Sequence, residues 1–269
     1  VAETVGFVGA GQMGEPMVAR LLDAGHEVNL YARRPEVRER LGARGATPVD
    51  SPAELARRSD VVIACLFSDA QLLDVAGGPD GILANAKTGA VVVSHTTGTI
   101  GTVTGLAAQH PDGPVLLDGP ISGSAEDIAA GRLTVLLGGD TAAAERAQKV
   151  LEAYSSNVIH TGGLGTALSL KLVNNLLFAG NAQLVAAAID LGARLGIEDT
   201  SFLDALSVCS GRSHASSSVR LLGSLDHFAK VAAPFLRKDV AACVAAADDA
   251  GVDLGWLRTV VAAGPLSLS

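Results

Sequence analysis

Residues 4–34 read TVGFVGAGQMGEPMVARLLDAGHEVNLYARR. A short apolar run leads into glycines at 9, 11 and 14, a stretch of helical spacing follows, and a second apolar run, EVNLYA, closes the unit. Gly9-Ala10-Gly11-Gln12-Met13-Gly14 satisfies G-x-G-x-x-G in the context that gives the pattern meaning, strand before and helix after. In such a turn the first glycine permits the tight bend. The second removes a Cβ from the path of a pyrophosphate, and the third lets helix pack on strand. The helix start then offers N–H groups and the positive end of its dipole to phosphates. Gly9, Gly11, Gln12, Met13 and Gly14 are therefore candidate dinucleotide contacts; the alternative is a glycine turn kept for packing alone.

The end of the second run discriminates between cofactors. An NAD site normally carries an acidic residue there for the ribose 2′-hydroxyl, whereas this chain has Tyr31-Ala32-Arg33-Arg34. A guanidinium clasps a phosphate bidentately, so Arg33, with Arg34 beside it, favours NADP over NAD. The competing reading makes both of them solvated surface arginines.

Working outward, TVGFVG, EVNLYA, VVIACL, AVVVSH, PVLLDG, LTVLLGG and SNVIH alternate with Ala/Leu-rich segments of helical period. Such alternation specifies βαβ units and a mostly parallel sheet. After Gly165 the pattern changes: ALSLKLVNNLLFAGNAQLVAAAIDLGARLG runs about thirty residues without proline, which predicts one long helix over about 165–195. The rest reads as further helices. We expect an α/β domain over 1–163 and an all-helical domain over 164–269, joined by the long helix, with a ligand cleft where domains meet.

Composition narrows the function classes. The 269 residues are 48% hydrophobic and 18% charged, which argues for a compact fold and against disorder. A net charge of −8 without a dense Lys/Arg cluster argues against a nucleic-acid partner. Three scattered cysteines suit a reducing compartment and give no metal-ligand spacing. The stretch LLFAGNAQLVAAAI is interrupted by Asn181 and Gln183, too short and too polar to cross a bilayer. With no secretion-type leader near Val1, the expected location is the cytoplasm.

Five blocks in order, GFVGAGQMGEPM, GPDGIL, LDGPISGS with GRLTVLLGG, GLGTALSLKLVNN, and FLRKDV, resemble the β-hydroxyacid dehydrogenases. That family includes 3-hydroxyisobutyrate dehydrogenase, tartronate semialdehyde reductase and glyoxylate/succinic semialdehyde reductase, and is related to 6-phosphogluconate dehydrogenase. The resemblance implies a Rossmann-type domain, a long interdomain helix, a helical domain and assembly into homodimers or homotetramers. It also implies that Lys171 is the catalytic acid/base and that Asn175, four residues on and so on the same helix face, helps hold substrate. Ser122 and Gly123 become the carboxylate anchor. Leu66 and Phe67 belong to the nicotinamide-side loop, Thr96 lies beside the nicotinamide, and Lys238 reaches toward the cofactor. Asp239 is as readily a structural partner, and a packed or solvated His95 is favoured over a base there.

The resemblance is weakest at the substrate turn. Where the family has S-G-G-x-x-G-A, this chain has Ser122-Gly123-Ser124-Ala125-Glu126-Asp127-Ile128. Asp127 is expected to repel an acid near an anion site, and Ser124 to be strained if it must adopt a glycine-only backbone angle. The end of the chain, VVAAGPLSLS, also reads as shorter than the family's last helices, so oligomer contacts are expected to differ. The leading expectation is an NADP-preferring oxidoreductase that interconverts a short β-hydroxy acid and its aldehyde or semialdehyde, without a metal. The alternatives are an imine reductase of related architecture, against which Lys171 counts, and a non-catalytic nucleotide sensor.

Overall fold

The computed structural model describes residues 3–268. It divides into two compact units, the first running to Lys171 and the second beginning at Leu172, so the division falls inside the long helix.

The first unit holds nine strands: β1 (Val5–Val8), β2 (Val28–Tyr31), β3 (Thr47–Pro48), β4 (Val61–Ala64), β5 (Val91–Ser94), β6 (Val115–Asp118), β7 (Ile121–Ser122), β8 (Leu133–Gly138) and β9 (Ser155–Gly162). Between them lie α1 (Gly14–Asp23), α2 (Pro35–Gly42), α3 (Pro52–Arg58), α4 (Asp69–Ala76), α5 (Ile82–Asn85), α6 (Ile100–Gln109), α7 (Ala125–Ala129) and α8 (Thr141–Leu151). The sheet order is β3-β2-β1-β4-β5-β6-β8-β7, with β9 also paired to β8. From β3 to β6 every pairing is parallel, whereas β8 runs antiparallel to β6 and β7. The first six strands thus follow the doubly wound dinucleotide-binding order, and the order reverses at β1, where such sheets bind ligands.

A sheet covered on both faces demands strands that are apolar throughout. β1, β4 and β5 are buried at every position. Their alternate residues feed two cores: Val5, Phe7, Val61 and Ile63 join Met17, Leu21 and Tyr154 on one face. Val8, Val62 and Ala64 join Leu55, Leu72 and Leu106 on the other. All seven strand runs expected from the sequence are present; β3 and β7 are additional.

The second unit is helical. α9 (Thr166–Arg194) enters it from the first unit and is followed by α10 (Asp199–Leu206), α11 (His214–Leu222), α12 (Leu225–Asp249) and α13 (Trp256–Ala263). Leu172, Leu176, Ala179, Ala182, Ala186 and Ile189 form the buried stripe of α9, at the spacing of one helix face. Gln183, 2% exposed, sits on that stripe; its Nε2 donates to the carbonyls of Val261 and Leu266 and its Oε1 accepts from the Leu266 N–H. A second stripe is exposed: Leu170, Leu177, Leu184 and Leu191 recur every seven residues at 45%, 50%, 59% and 52% exposure.

One expectation needs correction. At 29 residues, with a mean hydropathy of 1.5 in its most apolar window, α9 is long and apolar enough to cross a membrane, because helical spacing continues on both sides of LLFAGNAQLVAAAI. Half of that window is buried within the protein, as in a core helix.

Candidate functional site

The glycine turn between β1 and α1 opens one end of a cleft of about 520 Å³ in the first unit. A Cβ on Gly9, whose φ is +96°, would lie 2.1 Å from the Cys65 carbonyl oxygen, and one on Gly14 would lie 2.2 Å from the Gly9 carbonyl oxygen. Neither position accepts a side chain. Beside Gly11 a Cβ would meet nothing within 4 Å, so there the backbone faces open space. Met13, the N-cap of α1, makes no side-chain cap bond and packs against the core instead. The helix start is left for an external acceptor. Gln12 is exposed and lines a separate shallow groove with Arg20 and Glu126.

Arg33 and Arg34 line the cleft at the end of β2, with Leu66 and Phe67 at the end of β4. Four nearby arginines are committed. Arg34 donates to the Ala10 carbonyl at 3.2 Å, and Arg38, Arg40 and Arg44 pair with Asp50, Glu15 and Asp23. Arg33 is exposed and makes no hydrogen bond or ion pair among the described residues. Gln71, Asp74, Pro79 and Asp80 also line the cleft. Sequence reasoning passed over them, although Pro79 and Asp80 sit inside the quoted block GPDGIL. Cys65 lies at the base of the cleft, where burial pushes its thiol up to about 12 and keeps it protonated.

Two loops that follow β4 and β5 are tied together. The Phe67 N–H donates to Gln71 Oε1, Ser68 caps α4, and Asp69 Oδ2 accepts from the Thr99 N–H at 2.9 Å. Phe67 remains 73% exposed. Thr96, 1% exposed, has a hydroxyl with no partner among the described residues, as does Ser94. His95 between them is locked. Its Nδ1 bonds the Gly119 carbonyl, which can only accept, so Nδ1 carries the proton and Nε2 accepts from the Tyr154 hydroxyl at 2.8 Å. Burial lowers its pKa to about 4 despite the Gly119 bond. His95 is thus a packed, neutral histidine and not a general base at neutral pH.

The substrate turn departs from expectation in two respects. Ser124 is extended, at φ −115° and ψ 174°, so it carries no glycine-type strain. It serves as N-cap of α7. Asp127 completes a capping box with it, its Oδ2 accepting from the Ser124 N–H and hydroxyl while Arg132 donates to Oδ1. The Ser124 N–H and hydroxyl, with Arg132 adding, hold the Asp127 carboxyl below its usual range. Asp127 is thus engaged within its own turn and partly neutralised by Arg132. Ile128 is fully buried in the core. Gly123, at φ +136°, needs to be glycine, while Ser122 is exposed at the end of β7.

Lys171 is half-buried near the start of α9. Asn175, 8% exposed, donates from Nδ2 to Asp239 Oδ2 at 3.0 Å and accepts from exposed Asn174. Lys238 is exposed on α12, next to Asp239. Gly9, Gly11, Arg33, Arg34, Leu66 and Phe67 therefore share one cleft. Thr96, Ser122, Gly123 and Lys171 lie outside its lining, and Asn175 and Lys238 belong to the second unit. No group of three or more His, Cys, Asp or Glu suited to a metal comes together among the described residues.

Sequence reasoning also missed Asp118, fully buried at the end of β6, whose two oxygens accept the N–H groups of Gly165 and Leu168 at 2.7 Å each. No local pattern links residues 47 and 50 positions apart.

Comparison with known proteins bears on the fold and the family. Residues 4–162 match the NAD binding domain of 6-phosphogluconate dehydrogenase, and residues 165–263 match the family described as NAD-binding of NADP-dependent 3-hydroxyisobutyrate dehydrogenase. The chain belongs to the β-hydroxyacid dehydrogenase family. As a member of that family it is 33% identical to mouse mitochondrial 3-hydroxyisobutyrate dehydrogenase over 83% of its own length and 67% of the relative's. It is 30% identical to 2-(hydroxymethyl)glutarate dehydrogenase of Eubacterium barkeri, over 78% of this chain and 70% of that one. For the rat and human 3-hydroxyisobutyrate dehydrogenases the matched share falls to 64% and 63% of their length. The Mycobacterium tuberculosis 3-hydroxyisobutyrate dehydrogenase structure with L-serine superposes with a TM-score of 0.83 at 25% identity, covering 97% of this chain and 92% of that one. This β-hydroxyacid dehydrogenase family member thus carries NAD(P)-binding domains. Its residues suit such a cofactor: the space beside Gly11 accommodates a diphosphate, and the Thr96 hydroxyl is a buried polar group awaiting a partner.

Proposed function

We propose that the chain is an NADP-preferring oxidoreductase that interconverts a short β-hydroxy acid and its aldehyde or semialdehyde. The observation that carries this reading is the glycine turn, where Gly9 and Gly14 are closed by backbone while the space beside Gly11 is open. When bound, the cofactor supplies or accepts a hydride at its nicotinamide. The Gly9–Gly14 turn and the start of α1 hold the diphosphate. Arg33 binds the 2′-phosphate, a role supported by its lack of any other partner among the described residues. The Thr96 hydroxyl takes a hydrogen bond from the nicotinamide side.

Ser122 and the backbone of Gly123 anchor the substrate carboxylate, and Asn175, its amide fixed by Asp239, orients the reacting end. Lys171 takes the hydroxyl proton in the oxidative direction and returns it to the forming alkoxide in reduction. Lys238 contributes positive charge on the cofactor side. An altered carboxylate turn is what would favour the imine-reductase alternative. The capping box of Ser124 and Asp127 gives that alteration a structural account, and Lys171 counts against it. Three unpaired cysteines fit a reducing compartment.

The partner we propose besides the small molecule is a second copy of the chain. The exposed leucines at 170, 177, 184 and 191 support it, because a heptad seam left in water is costly. Replacing Leu177 and Leu184 by Lys should lower the mass seen by light scattering; an unchanged mass removes the stripe from the argument.

The direct test follows NADPH oxidation with glyoxylate, succinic semialdehyde and methylmalonate semialdehyde. We expect turnover with at least one, and a fall of ~10²–10⁴-fold in kcat for Lys171→Ala with NADPH binding retained. NADPH binding without turnover across a broad carbonyl panel selects the sensor instead.

A further inference from the structure

We infer that Asp118 is a positioning residue for Lys171, a single buried carboxylate that fixes the start of the lysine-bearing helix against the strand that leads into the substrate turn. The inference rests on the reading of Lys171 as the proton-handling group.

The first N–H groups of a helix have no partner within it. At α9 the group that satisfies two of them comes from across the sheet. Asp118 Oδ1 accepts the Gly165 N–H and Oδ2 the Leu168 N–H, each at 2.7 Å, and the carboxylate is fully buried. Bonds from backbone N–H to an ionised carboxylate are short and about twice as strong as neutral ones, and a negative charge is favoured at this end of the helix dipole. Room for the carboxylate is provided by Gly138, its cross-strand partner on β8, where a Cβ would lie 2.3 Å from Oδ1. Gly165 approaches Ile100 too closely for a side chain and has φ +92°, so the entry to the helix is also fixed.

Formation of α9 does not depend on this contact alone. Thr166 Oγ1 bonds the Gly163 carbonyl and the Thr161 hydroxyl, closing the entry turn locally, and the helix runs 29 residues. What Asp118 adds is register. It ends β6, and the chain passes directly to Gly119, held by His95, and on to Ser122 and Gly123. Lys171 follows Leu168 by less than one turn, about 4.5 Å along the helix axis. A helix transmits displacement of its first turn nearly rigidly, so loosening the Asp118 contact moves the Lys171 amine relative to the proposed carboxylate anchor. A misplacement of ~1 Å at a reacting group costs on the order of 10²-fold in rate.

The experiment measures kcat, KM, NADPH affinity and Tm for the full chain carrying Asp118→Asn, Asp118→Glu, Lys171→Ala and the pair Asp118→Asn/Lys171→Ala, with the carbonyl that gives turnover. Asp118→Asn keeps one acceptor and loses the charge. Asp118→Glu keeps both acceptors and the charge but displaces them by one methylene, which keeps the idea testable should the Asn variant fold poorly. We expect each to lower kcat by ~10- to 100-fold, with NADPH affinity within about twofold of wild type. In the Lys171→Ala background the Asn substitution should cost nothing further, since it acts through the lysine. Folded Asn or Glu variants with wild-type kcat overturn the inference. So does an Asn effect of undiminished size in the Lys171→Ala background, the mark of a purely structural role. Full turnover by Lys171→Ala instead overturns the proton-transfer reading itself, and the inference with it.

Discussion

Gly9 and Gly11 of the opening turn make a paired test, because an added methyl group meets backbone at the first and open space at the second. At Gly9 an added Cβ faces the Cys65 carbonyl at 2.1 Å and the backbone sits at φ +96°. The conformation costs an L-residue roughly 1–3 kcal/mol and the overpacking about 1–3 kcal/mol more. Gly9→Ala should therefore lose ~4 kcal/mol, which at about 2–4 °C per kcal/mol lowers Tm by roughly 8–16 °C. At Gly11 nothing lies within 4 Å and φ is outside the left-handed region, so Gly11→Ala should leave Tm within ~2 °C of wild type. Its effect should fall on the ligand. A methyl in the space assigned to the diphosphate should weaken NADPH by ~2 kcal/mol or more, about 30-fold. Differential scanning calorimetry without ligand and isothermal titration with NADPH read the two quantities separately. If Gly11→Ala binds NADPH as tightly as wild type, or if Gly9→Ala melts where wild type does, the assignment of roles within the turn is wrong.

Arg33→Ala should weaken NADPH by ~10- to 100-fold, the value of a charge-assisted contact of about 1.5–3 kcal/mol, and leave NADH nearly unaffected; equal losses in titration calorimetry would show that Arg33 does not read the phosphate. His95 gives a pH prediction. In the unfolded chain it takes up a proton near its ordinary 6.5, in the folded chain only near 4, so acid favours unfolding across that interval. The stability of the neutral histidine is full above 6.5 and should fall by ~3 kcal/mol as pH drops to 4. Urea unfolding of wild type and His95→Gln over this range checks it: parallel stability curves would refute the buried neutral state.

Much of the first unit was legible because its strands are buried on both faces, which forces uninterrupted runs such as VVIA and VVVS. The two strands that went unread have two residues each, and one contains Pro48, so neither leaves a periodic trace. The antiparallel run of β8 was equally hidden, since a buried strand looks the same in either direction. The glycine turn could be read because its chemistry is local. Asp118 could not, because its partners lie at Gly165 and Leu168. Ser124-Ala125-Glu126-Asp127 has the S-x-x-D spacing of a capping box, a local signal from which the engagement of Asp127 with Ser124 is legible. The single amide of Asn175 was expected on its face of α9, but its engagement with Asp239 depended on packing that no spacing reveals.

The three hydrogen bonds of Gln183 give the tail segment a role out of proportion to its length. Without the Leu266 backbone the Gln183 carboxamide would keep its bond to the Val261 carbonyl but lose two of its three hydrogen bonds in an apolar interior, and Gly264 is already too close to Gln183 for any bulkier substitute. Substitutions that displace the Leu266 backbone should therefore register as a loss of thermal tolerance without touching any residue concerned with chemistry.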